Sequence, residues 1–151
     1  MMTAEAHCDI PCGIYDPTPA KLAAKTVQRM VEQLEDFHLP EDWKDQAAVH
    51  HYVQSVTRRT TVKDQHAELC KRELQILWSD FFKPEHLEAF PDLHATVWQA
   101  LKLCSTNKQE LNHQAALDLV AAVDTIARAF YVAKGVPDRY KAYQELTDHL
   151  F

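Results

Sequence analysis

The sequence predicts an all-α protein: an antiparallel four-helix bundle preceded by an irregular stretch. Three observations predict it. Apolar residues recur at three- and four-residue spacing over four long segments, which is the helical period. The joins between those segments are short, as they are between antiparallel neighbours in a bundle. The 151 residues include only two glycines, Gly13 and Gly135, too few for the many tight turns of a β fold.

The first helix begins at Asp16-Pro17-Thr18-Pro19, where Asp16 or Thr18 can cap and proline is tolerated in the first turn. Leu22, Val27, Met30, Val31 and Leu34 mark its apolar side, and it fails near His38-Leu39-Pro40. The second starts around Asp45, carries Val49, Tyr52, Val53 and Val56, and resumes the pattern at Leu69, Leu74, Leu77 and Trp78 before ending at Lys83-Pro84. Its polar middle, Thr57 to Gln65, reads either as a break or as a helical stretch facing a partner. A third helix uses Leu87, Phe90, Leu93, Val97, Leu101 and Leu103, with Pro91 kinking or splitting it. The fourth runs through Leu111, Leu119, Val120, Val123, Ile126 and Phe130 and is stopped by Gly135 and Pro137. A short terminal helix, Arg139 to Leu150, follows. Trp78, Trp98 and Phe130 are expected to close the core, with Phe82 beside them. Cys70 and Cys104 fall among leucines and read as small buried hydrophobes. His50 and His51, adjacent on a helix, point apart and read as surface residues.

The chain is expected to be a single domain, because its length suits one core and no repeat or linker interrupts it. A formal charge of −6 argues against nucleic acid as a partner. No apolar run reaches the roughly 20 residues a bilayer requires, so no membrane partner is expected. Met1 to Ala6 has neither the basic nor the apolar part of a secretory signal. The expected location is therefore the cytoplasm, where the four cysteines are better read as metal-binding or redox thiols than as two disulfides.

The chemistry is concentrated at the start, in His7-Cys8-Asp9-Ile10-Pro11-Cys12. Residues 1–6 end in Ala-Glu-Ala and read as a short leader whose removal leaves His7 as a new N-terminus. His7 then offers an amine and an imidazole, and Cys8 a backbone nitrogen and a thiolate. A metal held by the amine, the Cys8 amide nitrogen and the Cys8 sulfur closes two adjacent five-membered rings in one plane. Cys12 supplies the fourth in-plane donor. Pro11 favours the turn that brings it back, and Gly13 lets the chain leave at a sharp angle. The His7 imidazole is free to approach from above. A planar set of two nitrogens and two thiolates suits nickel(II) or copper(II) rather than tetrahedral zinc, and its anionic donors bring a higher oxidation state within reach. The alternative is a thiol redox sensor, or a non-enzymatic protein that binds nickel or copper through Cys8 and Cys12.

The string His7-Cys8-Asp9-Ile10-Pro11-Cys12-Gly13-Ile14-Tyr15-Asp16-Pro17 resembles the N-terminal hook of nickel superoxide dismutases. A second block, Ala67-Glu68-Leu69 with Leu77-Trp78-Ser79-Asp80-Phe81-Phe82-Lys83-Pro84, carries the same resemblance. The resemblance implies a leader (residues 1–6) cut off by a maturation peptidase between Ala6 and His7. It implies a mature domain (residues 7–151) with a metal-binding hook (7–15) and a helical bundle (17–151). It further implies a homohexamer, one nickel ion per subunit, and disproportionation of superoxide by a Ni(II)/Ni(III) cycle. The implied nickel ligands are His7, Cys8 and Cys12. Tyr15 matches the family tyrosine beside the open face, and Asp9 and Lys83 are the other candidate catalytic residues, Lys83 as a positive charge attracting an anionic substrate. Ile10-Pro11 matches a cis peptide bond of the family. Supporting positions are His66, Pro11 and Gly13. The sequence departs from the pattern it resembles: His66 stands where that family often has an arginine and Ala23 where it often has a glutamate, two side chains that there orient the imidazole, and Phe81 stands where a second tyrosine is common. The segment between the first two helices and the C-terminal tail are longer than is usual in the family.

Overall fold

The computed structural model describes residues 13–151, and every regular element among them is helical. Four long helices make the bundle: α1 (Thr18–Glu35), α2 (Gln46–Ile76), α4 (Leu93–Gln109) and α5 (His113–Ala133). A single turn, α3 (His86–Ala89), precedes α4, and α6 (Arg139–Thr147) closes the chain. Helix α1 packs on α2 and α5, and α4 packs on those same two, so the four form a closed square around one core.

Local chemistry sets the boundaries. The Asp16 carboxylate accepts the Thr18 N–H at 2.8 Å, so Asp16 caps the first turn of α1 and Pro19 sits where no donor is needed. Asp45 Oδ1 accepts from Ala47 and Ala48 at the start of α2. Asn112 Oδ1 accepts from Ala115 at 2.9 Å and starts α5, so Leu111 precedes the helix and is exposed instead of lining its apolar side. At the other end of α5, Gly135 has φ +76, and the N–H groups of Gly135 and Val136 return to the carbonyls of Val132 and Tyr131, a Schellman ending that needs glycine's left-handed freedom. Pro91 splits the third segment: α3 stops at Ala89 and α4 begins at Leu93.

The polar middle of α2 is unbroken helix. Lys63 shows how this is tolerated. Its buried ammonium donates to the carbonyl of Asn107 and lies 3.4–3.5 Å from those of Lys108 and Glu110, satisfying the free acceptors at the C-terminus of α4. After Ile76 the helix widens into a π-helical turn, Leu77–Phe81, closed by the Phe82 N–H on the Leu77 carbonyl.

Leu74, Leu77, Val97, Leu119, Val123, Ile126 and Phe130 form the centre, with Cys70 and Cys104 buried among them as expected. The two tryptophans assigned to the core are outside it. Trp78 is 40 % exposed and Trp98 61 % exposed. Each follows a fully buried stripe residue, Leu77 or Val97, and so stands about 100° further round its helix. Trp78 Nε1 instead donates to His94 Nδ1 at 2.8 Å, and the Lys102 ammonium lies over the Trp98 ring. Phe82 is half-buried against the core, and His50 and His51 are exposed. Val53 and Leu69, read as stripe residues, are also largely exposed, because the buried stripe of α2 runs through Lys63, Ala67, Cys70 and Leu74; Leu22 is exposed because that of α1 runs through Ala20, Ala23, Ala24, Val27 and Val31.

Helix α6 is held by an ionic and aromatic cluster. The Lys21 ammonium, fully buried, donates to both oxygens of Asp124 at 2.6 and 2.7 Å and to Asp148 at 3.1 Å. The Tyr143 hydroxyl donates to Asp124 at 3.2 Å, and the Tyr143 ring stacks on Tyr140 and meets Tyr131. Burial, and after it the Asp124 charge and hydrogen bond, push the Tyr143 phenol far up. An unfolded chain ionises this phenol near pH 10, whereas the folded one resists ionisation. The stabilisation is therefore complete below about pH 10 and is lost as pH rises beyond it. Thermal melts between about pH 9 and about pH 11 are expected to show a steeper alkaline loss for the native chain than for Tyr143→Phe. Parallel curves would contradict this assignment.

Candidate metal centre

His7, Cys8, Asp9, Pro11 and Cys12, together with the leader of residues 1–6, lie outside the described residues. What the structure places is the ground from which they depart. Gly13 is exposed with φ +80, a backbone conformation that a side chain would disfavour. Tyr15 lies three residues beyond Cys12, so the backbone separates the two α-carbons by at most about 11 Å. Its hydroxyl is buried, and its ring lies 5.9 Å from that of Phe81. Phe81 in turn packs on Phe130 at 4.4 Å and stacks on His86 at 5.8 Å. The π-helical turn supplies this contact, since one extra residue in the turn rotates the residues after it by about 100° and brings Phe81 inward from the end of α2.

The other candidates divide. Lys83 lies two residues past Phe81 and is exposed; its backbone N–H donates to His86 Nδ1 at 3.1 Å, and its ammonium makes no ion pair among the described residues. The cation that reaches Tyr15 is Lys134, whose ammonium donates to the Tyr15 carbonyl at 3.4 Å and lies 5.2 Å above the Phe130 ring. Sequence reasoning missed it. The signal was present, because a lysine immediately before the Gly135 stop must lie at the C-terminal end of α5. His66 is on the side of α2 that carries Arg59, which reaches Gln33 on α1. Its Nδ1 is buried and has no hydrogen-bond partner among the described residues. Ala23 is packed into the core of the bundle.

The remaining thiols do not compete for a metal. Cys70 and Cys104 are fully buried, and the hydrogen bond between them, reinforced by burial, pushes the Cys70 thiol well up and away from the thiolate form that binds metal. Among the described residues no group of three or more histidine, cysteine and carboxylate side chains is gathered as a metal site. The donors that suit a soft, redox-active ion are thus those of the N-terminal string, one imidazole and two thiols within six residues.

A helical bundle preceded by one imidazole and two thiols within six residues has the makeup of a protein that binds a redox-active metal. The comparisons make this specific. The model of the nickel-containing superoxide dismutase family matches residues 2–134. A superoxide dismutase [Ni] of Streptomyces coelicolor is 39 % identical over 128 residues, covering 83 % of this chain and 88 % of the relative. One from Streptomyces seoulensis is 39 % identical over 127 residues, covering 80 % and 85 %. A native nickel superoxide dismutase structure superimposes with a TM-score of 0.71 at 34 % identity, over 85 % of this chain and 99 % of that one. The apo form of such an enzyme gives 0.68 at 32 % identity. The chain belongs to the nickel-containing superoxide dismutase family.

Proposed function

We infer that this chain, a nickel-dependent superoxide dismutase, works through its first residues once Met1 to Ala6 have been removed by a peptidase. His7 with its freed amine, Cys8 and Cys12 hold one nickel ion. The overall reaction converts two superoxide radicals and two protons to one dioxygen and one hydrogen peroxide. The bound metal supplies reversible one-electron exchange between its divalent and trivalent states. The observation that carries the reading is the crowding of those three donors in a chain whose other two cysteines are sealed in the core.

The chain's own groups do the rest. Tyr15, held against Phe81, presents a hydroxyl three residues from Cys12 and keeps a proton available to reduced substrate. Asp9 is the carboxylate within the hook. Pro11 and Gly13 turn the chain, and the positive φ at Gly13 supports that role. His66 steadies the His7 imidazole in place of the arginine common in relatives, a role supported by its buried Nδ1. Lys83 and Lys134 add positive charge near the hook of an acidic protein and favour the approach of an anion. Assembly as a homohexamer in the cytoplasm completes the proposal, and the family resemblance supports it.

The test follows superoxide decay after pulse radiolysis. Nickel-loaded protein beginning at His7 is expected to accelerate the decay catalytically, and metal-free protein to leave it unchanged. Stoichiometric nickel uptake without acceleration would favour the non-enzymatic metal-binding alternative. The steering role has its own check. One unit charge about 11 Å away in water alters the local concentration of a monovalent anion about twofold, and salt removes the effect. Lys134→Gln is therefore expected to lower kcat/KM about twofold at low ionic strength and hardly at all near 1 M salt. Equal salt dependence in the two proteins would exclude this role for Lys134.

A further inference from the structure

Helix α6 lies beyond residue 134, where the family match ends, yet it is bound into the bundle by a fully buried lysine. Its place in the fold suggests its use. Tyr15, Asp16 and Lys21, at and just after the end of the hook, are tied to the C-terminal part of the chain. The Tyr15 carbonyl accepts from Lys134 at 3.4 Å. Asp16 lies close enough to Tyr131 that its charge, after burial, helps hold the Tyr131 phenol up. Lys21, in the first turns of α1, joins Asp124 of α5 to Asp148 at the end of α6. The rings of Tyr131, Tyr140 and Tyr143 fill the space between these ties, with centroids 5.7–6.5 Å apart. Farther along α1, the Phe151 ring lies under the cations of Lys25 and Arg29.

We propose that residues 131–148, ending in α6, form a brace that fixes the root of the nickel hook, with Lys21 and Asp148 as positioning residues for the metal site. The proposal rests on the nickel reading above and adds a role for a segment that lies, from residue 135 on, outside the family match. The physical reason is local. Holding a metal requires every residue between its ligands to be fixed, and ordering each one costs about 1–2 kcal/mol of conformational entropy in its backbone alone. A root already ordered by the brace leaves less of that cost to be met when the metal binds, so the bound metal leaves more slowly. Lys21 is suited to the task because removing a carboxylate partner from a buried ammonium is strongly destabilising, and both carboxylates come from parts of the chain distant in sequence.

The test uses the nickel-loaded chain beginning at His7 and two substitutions remote from the donors, Asp148→Ala and Tyr143→Phe. Nickel release to a chelator is timed well below the melting temperature, and amide hydrogen exchange is read at residues 15–21. Asp148→Ala is expected to speed nickel release severalfold and raise exchange at 15–21, with Tyr143→Phe smaller in the same direction. Asp148→Glu, which keeps the carboxylate, is expected to restore both. If α6 exchanges faster in Asp148→Ala while nickel release and exchange at 15–21 stay native, the brace does not exist. If the native chain fails to take up nickel, the nickel reading fails, and exchange at 15–21 in the metal-free protein still decides whether α6 orders the root.

Discussion

Replacing either hook thiol, by Cys8→Ser or Cys12→Ser, is expected to release nickel and remove superoxide dismutation with it. A serine hydroxyl stays protonated near neutral pH and is a hard, neutral donor, so the substitution removes both an anionic charge and the polarisable sulfur the metal prefers. A structural metal ion is bound by about 10–16 kcal/mol over about four ligands, so one ligand carries roughly 3 kcal/mol. Metal retention should therefore fall by roughly two to three powers of ten. Activity should fall at least as far, since the surviving donors no longer make the higher oxidation state accessible. Cys70→Ser and Cys104→Ser serve as controls. Both side chains are in the core, so these substitutions should lower the melting temperature and leave nickel stoichiometry unchanged. Metal analysis and dismutation assays on the four variants check the whole set. Nickel retained at native stoichiometry in Cys8→Ser or Cys12→Ser would refute the donor assignment.

The second large effect concerns the leader. While Ala6 is attached, the His7 nitrogen belongs to a peptide bond and its lone pair is delocalised into the carbonyl. It cannot act as an amine donor. The donor set loses one member, and the loss should again be roughly two powers of ten or more in nickel retention. Protein made with residues 1–6 intact and resistant to cleavage is expected to show little dismutation even with excess nickel, and protein beginning at His7 full activity. Equal activity of the two forms would show that the amine is not a ligand.

Much of the architecture was legible because it rests on short-range rules. The break at Pro91, the Gly135 stop and the Asp45 cap depend on residues within a turn or two of each other, and the structure has all three. The tryptophans were misplaced for a reason that period alone cannot correct. Trp78 and Trp98 each adjoin a true stripe residue, and size suggested burial where the angle around the helix denied it. The hook was legible as donor chemistry, since residue types at fixed spacing say what can bind before they say where. What could not be read was the ground beneath it. Lys21 meets Asp124 and Asp148 across separations of 103 and 127 residues, and Lys134 meets Tyr15 across 119. No local pattern marks such pairs, because a buried lysine looks like any surface lysine until the bundle closes over it. The turn at Leu77–Phe81 was hidden in the same way. Its sequence is compatible with ordinary helix, and only the packing of Phe81 between Tyr15 and Phe130 shows why the chain widens there.

X-ray absorption at the nickel edge, on protein beginning at His7 and loaded with one equivalent of the metal, addresses the donor set without relying on turnover. Two sulfur neighbours are expected in the native protein, with one lost in whichever of Cys8→Ser and Cys12→Ser still holds any metal. A native spectrum with only nitrogen and oxygen around the nickel would contradict the account, because the hook would then not be what holds the ion.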